Sequence, residues 1–126
     1  MRSLKDLKIY LLDINPKMCE AWEKNFGGAS NVEIVCEEFT AFMEEHKEVD
    51  CVVSPANSYG FMDGGFDFAL SCYFGDKLEE TVQQYIKENL YYEQPVGTSI
   101  YRRIDYKWNK TYTYSNNASA ECNYRL

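Results

Sequence analysis

Between Asn57 and Asp67, in the stretch VDCVVSPANSYGFMDGGFDFAL (residues 49–70), the chain places an asparagine, two adjacent glycines and two acids directly behind an apolar run. Two glycines between a buried strand and a helix let backbone approach a ligand with no Cβ in the way, and their N–H groups can point at oxyanions. An asparagine at the strand end can donate to and accept from a sugar hydroxyl. The chemistry suggested is the holding of a polyol or a phosphate. The same residues also fit a purely structural role, in which Gly64 and Gly65 make a tight turn, Asn57 satisfies its own backbone and Asp67 caps a helix.

The elements that must position this loop follow from the hydrophobic pattern. LKIYLLD (7–13) is an apolar run ending in an acid, a buried strand leading into a helix with Pro16 in its first turn. That helix carries Met18, Ala21, Trp22 and Phe26 on one face and is stopped by Gly27 or Gly28. VEIVCEEF (32–39) is a second strand-like run. TAFMEEHKEV (40–49) is a short helix with Thr40 as its N-cap, and DCVVSPAN (50–57) a third strand. Beyond Gly65 a helical stretch breaks near Gly75, where Asp76 can cap a second piece whose apolar face is Leu78, Val82, Tyr85 and Ile86. PVGTSIY (95–101) reads as a further strand entry. Alternating strands and helices at short spacing define an α/β domain with a largely parallel sheet, and in such sheets ligands lie at the carboxyl ends of the strands, where the loop falls.

Composition bounds the function. The 126 residues suffice for about one domain, with 45% apolar and 26% charged residues and 11 Tyr. A net charge of -7 excludes a protein that grips duplex nucleic acid by neutralising phosphates, leaving backbone N–H groups to hold any anion. Five scattered cysteines, with no CxxC and no His/Cys cluster, indicate neither a disulfide framework nor a zinc site and fit a reduced compartment. The first apolar run is too short for a signal peptide and no later run could span a bilayer, so the expected location is cytoplasmic or nuclear, with no membrane partner.

The quoted stretch resembles the ADP-ribose-binding loop of macrodomains, in which a strand ending N-A-A-N precedes a glycine run that opens a helix. SPAN (Ser54, Ala56 and Asn57 among its residues) stands for N-A-A-N, DGGFDFAL for the glycine run and helix start, and PVGTSI for the following P-x-G-x-A strand. CEEFTAF falls where the family has G-D-I-T. The resemblance covers roughly residues 6 to 101. It implies a three-layer macrodomain-like α/β fold with a mixed, largely parallel sheet, binding ADP-ribose, an ADP-ribosylated protein or a related metabolite with no cofactor or metal. Position by position, it implies that Asn57 contacts the distal ribose, that Gly64 and Gly65 pack against the distal ribose and diphosphate, with Ser54, Ala56 and Phe66 beside them as ligand-binding candidates, and that Asp67 is the acid some de-ADP-ribosylating members use near the same ribose. Asn57 and Asp67 are therefore the catalytic candidates if the chain hydrolyses an ADP-ribosyl bond or ADP-ribose phosphate. Glu38 falls where an acid accepts from the adenine amino group, and Phe39 beside it.

Departures accompany the match. Ser54 replaces the first Asn, Asp63 the first Gly and Glu37 the Gly before the adenine-reading acid. A carboxylate in a diphosphate site repels by several tenths of a kcal/mol or more unless turned outward. From Arg102 the chain is rich in Tyr, Asn, Ser and Thr, offers at most a weak strand around TYTY and shows no G-x-x-G-like second phosphate loop. The expected organisation is an incomplete domain over 1–101, lacking its C-terminal strands, and an atypical tail over 102–126. In a displaced frame, Thr113 to Ser119 permits His-Thr-Pro-Thr-Met-Arg, which predicts a one- or two-base shift in the coding DNA near Tyr101.

Other functions carry less. A degenerate macro-like protein without a ligand fits the missing second loop. LLDINPKMCEAW resembles the ribose-holding strand end of methyltransferases, but no G-x-G-x-G precedes it. His46 reads as a solvated residue near a helix C-terminus, and nothing places a nucleophile beside it.

Overall fold

The structure, a computed structural model, describes residues 3, 6–104 and 110–116, with residues 104 and 110–116 described by backbone alone. The chain divides into two compact units, residues 1–46 and 47–126.

The first unit is a β-α-β-α succession: β1 (Ile9–Asp13), α1 (Pro16–Phe26), β2 (Val32–Cys36) and α2 (Phe39–Glu45). β1 and β2 run parallel, pairing Ile9 with Val32 through Asp13 with Cys36. Parallel neighbours need a crossover, and α1 supplies it. The helix starts as the Asn-Pro sequence dictates: the Asn15 side chain accepts from Lys17 N–H and Pro16 occupies the first turn. Its inward stripe is narrower than the sequence suggests. Cys19 is buried and Met18 and Trp22 are half-buried, whereas Ala21 and Phe26 are exposed, because two strands give a helix too little surface to cover a wide apolar face.

α2 is held to β1 by aromatic contacts. Phe42 meets Tyr10 edge-on at 5.1 Å between centroids, and His46 stacks on Phe42 at 4.4 Å while lying 4.8 Å from Tyr10. His46 is therefore half-buried against two rings rather than solvated. Thr40 is not the cap of this helix. Glu38 is, its Oε2 accepting from Thr40 N–H (2.9 Å) and Ala41 N–H (3.1 Å), because the longer Glu side chain at the N-cap position reaches two of the orphan donors of the first turn.

That cap has a pH consequence. The Thr40 N–H first, and then the Ala41 N–H and the Thr40 side chain, hold the Glu38 carboxyl below its ordinary value against the opposing effect of burial. A depressed folded-state value means stability that is present above the ordinary carboxylate range and lost as pH falls through the depressed value. Glu38→Ala is expected to cost about 0.5–1 kcal/mol near neutral pH, the usual worth of a cap. In paired denaturant titrations, the gap between wild type and variant should close as pH drops below that range; a gap independent of pH would mean that the charge contributes nothing.

The second unit contains β3 (Cys51–Ala56), α3 (Gly65–Phe74), α4 (Lys77–Asn89), β4 (Ser99–Ile104) and β5 (Lys110–Asn116). Its sheet has the order β3-β5-β4, with β5 parallel to β3 and antiparallel to β4. The mixed α/β class with parallel strand pairing is thus present. β4 runs without interruption across Tyr101 and Arg102, and TYTY (111–114) forms the centre of β5.

Strict alternation of exposed and buried residues along β3 puts Val52, Ser54 and Ala56 on the inner face. α3 and α4 complete the core with Leu70, Phe74, Leu78, Val82 and Ile86, all at most 3% exposed. Burial of that kind stabilises by about 1.5–3 kcal/mol per large side chain. The break between the helices falls at Gly75, whose N–H donates to Ser71 O. Asp76 takes a helical conformation and makes no side-chain cap bond, so the turn at Gly75 rather than an aspartate cap separates the two helices. Among the described residues no helix is long and apolar enough to cross a membrane.

Candidate functional site

The loop from Asn57 to Gly64 leaves the carboxyl end of β3 and enters α3. Asn57 organises it. Its Oδ1 accepts from Tyr59 N–H (3.0 Å) and Phe61 N–H (3.2 Å), and its Nδ2 donates to Phe61 O (2.7 Å), so one side chain supplies partners for three backbone groups of Tyr59 and Phe61. The structural role open to Asn57 in the sequence is therefore occupied.

Three further anchors fix the loop to the rest of the second unit. Met62, 1% exposed, donates its N–H to Glu79 Oε2 on α4 at 2.7 Å. Gln83 Nε2 donates to Gly60 O (3.3 Å), and Gln94 N–H to Ser58 O (2.8 Å). Gly60 has φ +75°, and a Cβ there would lie 3.1 Å from Val82 and 3.2 Å from Ile86, so a side chain would be strained by its backbone and would push the neighbouring α4 side chains aside. Glu79, Gln83 and Gln94 were not legible as loop anchors. Glu79 and Gln83 sit on α4 and Gln94 on irregular backbone, positions whose only sequence signal is polarity.

Gly64 and Gly65 differ in what they do for the fold. Gly65, the first residue of α3, has φ +57°, a conformation that side-chain-bearing residues rarely adopt. Gly64 has φ −155° and ψ 158°, extended backbone open to any residue, and a Cβ built there meets nothing within 4 Å. Both are exposed, as is Asp63, while Phe66 is half-buried. The fold thus requires glycine at 65 and leaves open space at 64. Behind them lies the start of a ten-residue helix, whose first N–H groups have no partner within the helix and whose dipole favours negative charge.

Asp67, in the first turn of α3, is 4% exposed, and Ser54 is fully buried; the Ser54 hydroxyl donates to Asp67 Oδ1. Ser54 is thereby matched to the acid thirteen positions later, and the pair joins the inner face of β3 to α3. Ala56, 1% exposed, packs in the same core.

Ser54, Ala56, Asn57, Gly64, Gly65, Phe66 and Asp67 all belong to this strand end, loop and helix start. Glu38 and Phe39 belong to the first unit, where Glu38 is exposed and capping α2 and Phe39 is buried at 4% exposure. Also in the first unit, ligand atoms of Glu37, Glu45 and His46 lie within 4.8 Å of one another, the one such group among the described residues.

A family model described as a macro-like domain matches residues 29–119, more than half of the 126-residue chain, and the chain belongs to this family. The match runs from before β2 to beyond β5, so it takes in the strand-loop-helix site and the strands on both sides of Arg102. At the level of the family, that membership points to ADP-ribose-related binding.

Proposed function

We propose that the chain binds ADP-ribose, free or attached to a protein, and that it acts as a reader rather than as a hydrolase. The observation that carries the binding is Gly64, a glycine that the fold does not need, exposed at the N-terminal end of α3 with open space where a side chain would stand. A diphosphate brought against Gly64 and Gly65 accepts hydrogen bonds from backbone N–H groups, which suits a chain whose net charge is -7. Asn57 shapes the loop that faces the distal ribose. Asp63 is exposed, so water screens its charge from a neighbouring phosphate.

The non-catalytic reading rests on Asp67. A general base must reach the proton it takes, directly or through one water. Asp67 is 4% exposed and accepts from the buried Ser54 hydroxyl, an arrangement that supports a structural duty.

Calorimetric titration of the full chain with ADP-ribose tests the binding, with saturable heat expected that is lost in Asn57→Ala. No heat at millimolar ligand would leave a macro-like fold without this ligand. Incubation with an ADP-ribosylated protein is expected to release no ADP-ribose. Turnover abolished by Asp67→Ala would make the chain an enzyme.

A further inference from the structure

Two cysteines far apart in sequence converge in the first unit and take no part in the proposed site. Cys19, on α1, is 8% exposed, with its Sγ 3.5 Å from Asp13 O and 3.9 Å from Val35 O. Cys36, the last residue of β2, is exposed, with its Sγ 3.9 Å from Ile14 O. The carbonyls they touch are neighbours. Asp13 and Ile14 are consecutive, and Val35 O belongs to the peptide that leads into Cys36. In the β1–β2 register Asp13 lies opposite Cys36, so both thiols sit at the same carboxyl end of the two parallel strands. Burial, first, and then the Cys36 thiol beside it push the Cys19 thiol above its ordinary value.

We propose that Cys19 and Cys36 form a vicinal dithiol that a hydroperoxide converts into an intrachain disulfide, making the carboxyl end of the β1–β2 pair an oxidative modification site. The exposed thiol meets the oxidant. Cys36 loses its proton, its sulfur attacks one peroxide oxygen, the O–O bond breaks, and the second oxygen leaves with a proton as alcohol or, for hydrogen peroxide, water. Cys19 then loses its proton and its sulfur attacks the Cys36 sulfenic sulfur. The S–O bond breaks, hydroxide leaves and is protonated to water, and the S–S bond forms. In sum two thiols lose two electrons and two protons while the peroxide gains them. Burial keeps Cys19 away from the oxidant itself, which suits the resolving position. The bridge would pin the end of β2 to α1 two residues before the Glu38 cap of α2. The linkage does not rest on the ADP-ribose reading.

The test is a non-reducing peptide map of the full chain, reduced, desalted, treated at high dilution with hydrogen peroxide and then alkylated. The expected result is a linked pair of peptides joining Cys19 to Cys36, two hydrogens lighter than their sum, with two fewer alkylated thiols. The linked pair should disappear in Cys36→Ser and persist in Cys51→Ser, a variant at an exposed cysteine on β3. Oxidation of Cys36 to sulfinic or sulfonic acid with no linked pair would overturn the proposal, as would cross-links found only between chains. Because no ADP-ribose enters the experiment, its failure is distinguishable from failure of the binding reading.

Discussion

Gly64→Val is expected to leave the chain folded and to weaken ADP-ribose binding by about tenfold to a hundredfold, whereas Gly65→Val is expected to lower stability as well. The two glycines are adjacent, yet their backbones differ. At Gly64 the extended φ of −155° suits a β-branched residue and the added carbons enter open space, so the cost to the fold is a poorer helix N-cap, under about 1 kcal/mol. At Gly65 a φ of +57° forces a β-branched residue into a left-handed conformation, costing on the order of 1–3 kcal/mol. For a ligand lying against Gly64, the new methyl groups occupy its place. Overpacking of that kind costs about 1–3 kcal/mol, and each 1.4 kcal/mol is about tenfold in affinity. Thermal unfolding and calorimetric titration of both variants separate the effects. A Gly64→Val protein that binds like wild type would mean that the ligand does not approach this glycine.

Ser54→Ala is expected to destabilise the chain by about 2 kcal/mol, the scale for leaving a buried polar group without its partner. Ser54 is fully buried and Asp67 4% exposed, so removing the hydroxyl takes a donor from a carboxyl that water reaches poorly. Ser71→Ala is the comparison. Its hydroxyl donates to Phe68 O on the same helix at 3.3 Å from a half-buried position, and its loss should change stability by less than about 0.5 kcal/mol. Denaturant titration gives both values, with an unchanged slope showing that the midpoint reports stability. If Ser54→Ala were as stable as wild type, the Asp67 carboxyl would be fully satisfied by its other contacts and the pair would not join β3 to α3.

Much of the scaffold was legible because it rests on local signals. Apolar runs marked β1, β2 and β3, Asn15-Pro16 marked the start of α1, and Gly75 the break between α3 and α4. What was misread depended on reach or on the size of the partner surface. Glu38 displaced Thr40 as the cap because a longer side chain meets two N–H groups at once. Ala21 and Phe26 fit the helical period but lie beyond the area two strands present. The loop residues of the site were visible from type and spacing, and the family match extends over them. Their division of labour was not. In the folded chain Asn57 bonds to its own loop, Ser54 meets Asp67, and Gly65 but not Gly64 has a positive φ. Cys19 and Cys36 looked scattered because the parallel pairing that aligns Asp13 with Cys36 leaves no mark in sequence spacing.

The central claim is that ADP-ribose is held by backbone at the start of α3, and amide chemical shifts read that backbone directly. In a two-dimensional 1H–15N titration of the labelled chain, the Gly64, Gly65 and Phe66 amides should show the largest shifts. Those shifts should saturate together with the calorimetric isotherm, and in Gly64→Val they should need about tenfold to a hundredfold more ligand to do so. Saturating shifts confined to other segments, with these three amides unmoved, would contradict the account.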